Sequence, residues 1–153
     1  MRQLIDSLSQ PKKPVIKYHA TRSTQVIDNP EIASQFFRRV WDPVLIENQE
    51  QFYVLFLDEE NIPIKCQCLQ TGGLSNLTLD FRLLFKHAVL SGCFAMIIAH
   101  NHPNGSLKPS QFDKKTTQMV IDLCKLHGFH LNDHIIMTKK SYFSFLEGGI
   151  INH

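Results

Sequence analysis

The 153-residue sequence predicts an α/β fold: a mixed β-sheet flanked by helices, built as a single domain. Three observations carry that expectation. Short strand-forming runs alternate with longer helix-patterned segments, which marks a layered α/β architecture. The run from Gln51 to Asp58 is almost continuously aromatic and aliphatic, as a strand buried on both faces requires. The turn Glu59-Glu60-Asn61 then sends the chain back as a hairpin, so antiparallel and parallel pairs should share one sheet.

Taken in order, residues 1–27 read as an N-terminal arm, interrupted by Pro11 and Pro14, with a short strand expected at Val15 to Tyr18. The domain proper covers 28–153. Asn29 caps a first helix, with Pro30 at its first position and Glu31 in its first turn. Ile32, Phe36 and Val40 share one face of that helix. Ile62 to Leu69 returns from the hairpin turn, and Gly72-Gly73 ends the pattern. Asp80 caps the next helix, whose apolar stripe is Phe81, Leu84, Phe85, Ala88 and Val89, and Gly92 stops it. Cys93 to Ala99 is a buried strand that runs straight into His100. Ser110 opens a helix to about His127, with Phe112, Met119, Val120 and Leu123 facing inward and Gly128 as its terminator. His130 to Thr138 and Tyr142 to Phe145 supply the last two strands.

Composition narrows the function classes. A hydrophobic share of 43% and a charged share of 20% are ordinary for a soluble globular chain. Eleven phenylalanines, against one tryptophan and three tyrosines, give a well-filled interior; they allow a homo-oligomer face without requiring one. A net charge of +2 with scattered Lys and Arg argues against direct nucleic-acid binding, and Lys12-Lys13 and Lys139-Lys140 read as solvated surface. No apolar run approaches the ~20 residues of a membrane span, and the start of the chain lacks a signal-peptide pattern, so a cytoplasmic location is expected. The four cysteines read as buried free thiols, with Cys66 and Cys68 on one strand face and no paired C-x-x-C spacing.

The chemistry concentrates in Ala99-His100-Asn101-His102-Pro103-Asn104-Gly105 and Pro109-Ser110-Gln111-Phe112-Asp113. In an extended segment His100 and His102 point to the same side. They lie at the end of a buried strand, where open α/β sheets place their sites. Ser110 and Asp113 have the spacing of a capping box, which folds a helix start back toward the imidazoles. Two imidazoles and a carboxylate are the ligand set of a catalytic zinc that keeps one position open. A lone H-x-H pair carries little information; the joint pattern is far more specific. Ser110 as a plain N-cap and Asp113 as a charge favourable to the helix dipole are the bland alternatives. The two roles of Ser110 are compatible, because a cap uses the oxygen as acceptor and leaves the hydroxyl proton free.

His100-x-His102-Pro103, seven intervening residues, then Ser110-x-x-Asp113, resembles the JAMM signature of JAB/MPN metalloproteases. The stretch Ala99 to Gly105 is more similar still to the RadC group of bacterial proteins, once called DNA repair proteins, and that resemblance extends over most of residues 28 to 146. Glu50 to Asp58 resembles the first core strand of the group, and Asp133-His134-Ile135-Ile136 with Tyr142 to Phe145 resembles its last strands. The resemblance implies a cytidine deaminase-like JAB/MPN fold. It implies His100, His102 and Asp113 as metal ligands, zinc (Zn2+) as the ion, Glu50 as the acid that activates water, and Ser110 as the group that steadies the oxyanion. Asn104 stands where the group commonly has serine, and Asp80 where it often has histidine. Fewer residues precede the matched part than the helix-hairpin-helix region of many RadC proteins needs, so a stand-alone form is expected.

Glu47 is the near alternative to Glu50; the alternation Glu50, Phe52, Val54 favours Glu50. Asp133 or His134 could orient a ligand from behind, or simply open a strand. The activity expected is zinc-dependent hydrolysis of a peptide or isopeptide bond, with a protein or peptide as substrate. The alternative is a DNA-repair or recombination accessory protein whose metal site is structural or vestigial. An HNH nuclease is set aside because its residues are spread over a ββα motif. A nucleobase deaminase is set aside because the H-x-E and P-C-x-x-C pair is missing.

Overall fold

Seven consecutive buried residues, Gln51–Leu57, form the strand (β1) on which the sheet is assembled. The computed structural model describes residues 24–72 and 79–152. The strand expected at Val15 to Tyr18, most of the N-terminal arm, and Gly73 lie outside those residues. Around β1 the chain forms β2 (Pro63–Thr71), β3 (Ala95–Asn101), β4 (His130–Met137) and β5 (Tyr142–Ser144), with helices α1 (Pro30–Val40), α2 (Leu45–Asn48), α3 (Phe81–Ser91) and α4 (Gln111–His127). The strand order is β2-β1-β3-β4-β5. Among the described residues only β3 and β4 are parallel, joined through α4; the other pairs are antiparallel, which makes the sheet mixed as predicted.

Alternation along the strands divides the core in two. Phe52, Val54 and Phe56 join Met96, Ile98 and Ile136 on the face covered by α3 and α4. Tyr53, Leu55 and Leu57 join Ala95, Ile97, Ala99, Ile135 and Met137 on the face covered by α1. Because β1 and β3 are antiparallel, Phe52 pairs with His100, so the start of β1 lies beside the end of β3. That register brings Glu50 to the end of the sheet that carries the two histidines.

The caps are as the sequence predicts. Asn29 Oδ1 accepts from Ile32 N at 2.9 Å, and Asp80 accepts from Arg82 N and Leu83 N. Gly92 and Gly128 end α3 and α4. Two helix faces differ from the prediction. In α1 the buried stripe is Ala33, Phe37 and Trp41, one residue along from Ile32, Phe36 and Val40, and Val40 is 41% exposed. Both sets satisfy the i, i+4 spacing. The rings decide between them, since Trp41 packs on Tyr53 with centroids 4.3 Å apart. In α4 the inward residues are Asp113, Thr116, Thr117, Val120 and Cys124. Phe112 and Met119 are 41% and 52% exposed, and Leu123 is only half-buried. The helix is turned so that its polar first turns face the histidines, which moves its apolar N-terminal residues out. Val89, placed on the α3 stripe by periodicity, is exposed as well. All four cysteines are free, with Cys93 and Cys124 buried and Cys66 and Cys68 half-buried.

Asn101 points to the α1 face, away from its histidine neighbours. Its side-chain amide donates to the carbonyls of Ile46 and Gln49, both at 2.9 Å, and its Oδ1 accepts from Gln51 N at 2.7 Å. One fully buried side chain thus fastens α2 and the entry to β1 onto the end of β3. Each backbone group left unpaired in a buried setting costs about 1–3 kcal/mol. Asn101→Ala, which strands three of them, should lower the unfolding free energy by about 3 kcal/mol or more, read as a shift of the urea midpoint at unchanged slope.

Candidate metal centre

His100 sits in the last turn of the β3 ladder and His102 just beyond it, so both rings leave on the α4 side of the sheet. His102 N still donates to Met137 O at 3.1 Å, which extends the parallel pairing past the formal end of the strand. Gly105 then takes a left-handed φ of 79° and its N–H returns to His102 O at 2.9 Å, closing a tight turn. The turn carries Ser106 back under the second histidine, where the Ser106 carbonyl accepts from His102 Nδ1 at 2.8 Å.

The third group comes from the start of α4. Ser110 Oγ accepts from Asp113 N at 3.0 Å, and Ser110 N donates to Asp113 Oδ2 at 2.7 Å, a complete capping box. The box fixes the Asp113 rotamer and aims its carboxylate at the imidazoles. Asp113 Oδ1 lies 3.3 Å from His100 Nε2, and Oδ2 lies 3.6 Å from His102 Nε2. The two Nε2 atoms are 3.0 Å apart. His100 and Asp113 are buried and His102 is half-buried. Two imidazole nitrogens and a carboxylate oxygen, all within 4.8 Å of one another, could hold a metal ion; this donor chemistry suits a divalent transition ion.

The other residues singled out from the sequence fall as follows. Glu50 is half-buried, its carbonyl pinned by Gly72 N at 2.9 Å, and its charge reaches His102, raising that ring's basicity. Glu47 is exposed and pairs with Lys139 on the surface. Of the two candidates behind the ligands, His134 reaches one: its Nε2 lies 2.7 Å from His100 Nδ1. Asp133 turns away, accepting from Ser144 Oγ at 2.6 Å and Leu146 N at 3.0 Å, and so braces the turn after β5. Sequence reasoning missed Asn101 and Thr117. Thr117 lies one helical turn after Asp113 and faces the sheet, and its i, i+4 spacing from a candidate ligand was the available signal.

The electrostatics follow from the crowding. Burial alone would raise the Asp113 pKa, but its interactions with the His100 and His102 imidazoles outweigh it and hold the carboxyl well below the usual range. Burial would lower the His102 pKa; Asp113, Ser106 O and Glu50 overcome that and raise it. Burial, with His100 adding to it, pushes His134 well below the ordinary imidazole value.

The family model for the RadC-like JAB domain matches residues 27–150. A UPF0758 protein of Flavobacterium johnsoniae is 37% identical over 112 residues, covering 72% of this chain and 49% of the relative. A second, from Haemophilus ducreyi, is 36% identical over 141 residues, covering 90% of this chain and 62% of the relative. A third, from Porphyromonas gingivalis, is 40% identical over 104 residues, covering 67% and 46%. The chain spans roughly half to three-fifths of the length of these relatives. It belongs to the RadC-like JAB domain family.

The raised His102 pKa sets the pH response. A cation held at His102 Nε2 would compete with the proton there, so its affinity would fall once His102 protonates, which begins above the ordinary imidazole value of ~6.5. Divalent-ion affinity, followed by competition with a chromophoric chelator, should drop about tenfold per pH unit below that point. Without the ion the linkage differs. The raised His102 contributes stability that is full below ~6.5 and lost as pH rises, while the depressed Asp113 contributes above ~3.9 and is lost as pH falls. The metal-free protein should therefore gain most from this pair between about pH 4 and 6.5, measurable as a maximum in its melting temperature that Asp113→Asn removes.

Proposed function

We propose that this RadC-like JAB domain is a zinc-dependent metallohydrolase that cleaves a peptide or isopeptide bond in a protein or peptide substrate. The observation that carries the reading is the convergence of His100 Nε2, His102 Nε2 and the Asp113 carboxylate. Donors about 2.0–2.1 Å from a tetrahedral zinc stand about 3.3–3.4 Å from one another. His100 Nε2 stands 3.0 Å from His102 Nε2 and 3.3 Å from Asp113 Oδ1, close to that value, while His102 Nε2 is nearer the other carboxylate oxygen, Oδ2, at 3.6 Å. Among the described residues no fourth histidine, cysteine or carboxylate joins the cluster, which favours a catalytic over a closed structural site.

Zinc held by these three residues would supply a Lewis acid that brings the pKa of a water toward about 7. The chain's own residues supply the rest. Glu50, half-buried and electrostatically coupled to His102, takes a proton from the attacking water and returns it to the leaving amine nitrogen. Glu47, engaged with Lys139, is the poorer base. Ser110 uses its oxygen to cap α4, so its hydroxyl proton stays available to the developing oxyanion.

Glu50→Gln should retain stoichiometric zinc while lowering kcat by about 10²–10⁴-fold in a peptide-library cleavage assay. Ser110→Ala should lose about 10²–10³-fold in kcat, with about 1 kcal/mol of stability from the lost cap. Undiminished cleavage in the zinc-loaded Glu50 variant would overturn the mechanism. Failure of the wild-type protein to bind zinc would overturn the metal reading.

A further inference from the structure

The residues behind His100 determine where its proton lies. Thr117 Oγ1 stands 2.7 Å from the carbonyl oxygen of Asp113, one helical turn back. Two oxygens at that separation need a proton between them, and the carbonyl has none to offer, so the Thr117 hydroxyl donates. The same hydroxyl oxygen lies 2.6 Å from His134 Nδ1. With its single proton committed to the carbonyl it can only accept there, so His134 Nδ1 carries the ring proton. His134 is 1% exposed; a neutral imidazole carries one ring proton, so with Nδ1 protonated its Nε2 is a bare lone pair. That lone pair is 2.7 Å from His100 Nδ1, so His100 donates to it. His100 Nε2 is then unprotonated, and it is the atom that faces His102 Nε2 and Asp113 Oδ1.

His102 reaches the same state independently. Its Nδ1 faces the Ser106 carbonyl, which can only accept, so its Nε2 is also bare when the ring is neutral. The relay behind His100 is enclosed by rings that hold its plane. Phe52 lies nearly parallel to His100 at 6.3 Å, and Phe145 stacks on His134 at 4.4 Å.

We propose that Thr117 and His134 are positioning residues that hold His100 in its Nδ1-protonated tautomer and present an unprotonated Nε2 to the cation. The proposal rests on reading His100, His102 and Asp113 as a metal site. Its distinctive feature is that the relay ends on Asp113 itself: the backbone of one ligand dictates the tautomer of another.

The test begins with the metal-free wild-type protein at alkaline pH. Long-range ¹H–¹⁵N correlation spectra of its imidazoles should show Nδ1–H tautomers for both His100 and His134. Thr117→Val keeps the shape but removes the acceptor for His134 Nδ1–H, so the proton order should reverse and put a proton on His100 Nε2. Zinc affinity should then fall about 10–100-fold, while Thr117→Ser keeps both the tautomer and an affinity within about threefold of wild type. A wild-type spectrum with His100 protonated at Nε2 would overturn the proposal, whether or not Thr117→Val folds. So would a folded Thr117→Val protein with unchanged tautomers and unchanged zinc affinity. Wild-type protein with the expected tautomers but no zinc binding would leave the relay standing and refute the metal reading instead.

Discussion

One carboxylate serves two structures. Asp113 closes the first turn of α4 by accepting from Ser110 N, and the same oxygens face two imidazoles. Neither task alone would be unusual, since acids favour helix starts and carboxylates pair with histidines. Performing both ties the start of α4 to the end of β3. The helix must begin at one place and in one rotation, and that rotation decides which of its residues enter the core. Thr116 and Thr117 come inward, while Phe112 and Met119, the more hydrophobic residues, turn outward. Local apolar preference yields to the site at this end of the helix and resumes at Val120 and Cys124.

That conflict also explains what could be read in the sequence and what could not. Caps and turns were legible because their chemistry is local: Asn29, Asp80, Ser110, Gly92 and Gly128 act within a few residues of where they stand. The mixed sheet was legible from a continuous apolar run and a hairpin turn. The inward face of α1 was not, because two stripes one residue apart satisfy the same helical period. Only the fit of Trp41 on Tyr53, across the interface with the sheet, separates them. The H-x-H pair and the capping box pointed to a common centre, and the structure brings those residues together. Asn101, between the two histidines, shows no role in the sequence itself. Its importance lies in three backbone groups of the α2–β1 segment, some fifty residues earlier, which no local pattern displays.

The two histidines of the centre are supported in different ways. His100 is backed by the buried row His134 and Thr117, between the rings of Phe52 and Phe145. His102 is backed by a single carbonyl within its own loop. A structure stabilised mainly by apolar burial has placed a run of polar contacts through its centre. These contacts are tolerated because each donor in them meets an acceptor.

The parallel pairing of β3 and β4 has a consequence for how the chain divides its labour. His100, His102, Asp113, Thr117 and His134 all belong to one contiguous strand–helix–strand unit, Ala95 to Met137. The proposed base, Glu50, comes from the opposite side of β3, carried by the antiparallel hairpin of β1 and β2. The residues that could hold an ion thus lie in a short, unbroken stretch whose ends are cheap to bring together. The proposed base depends on a separate piece of chain that Asn101 keeps in register. The two capacities can be gained or lost independently. Damage to the hairpin would silence the centre while sparing its affinity for a cation, so a metal-loaded member of this fold need not be an active one.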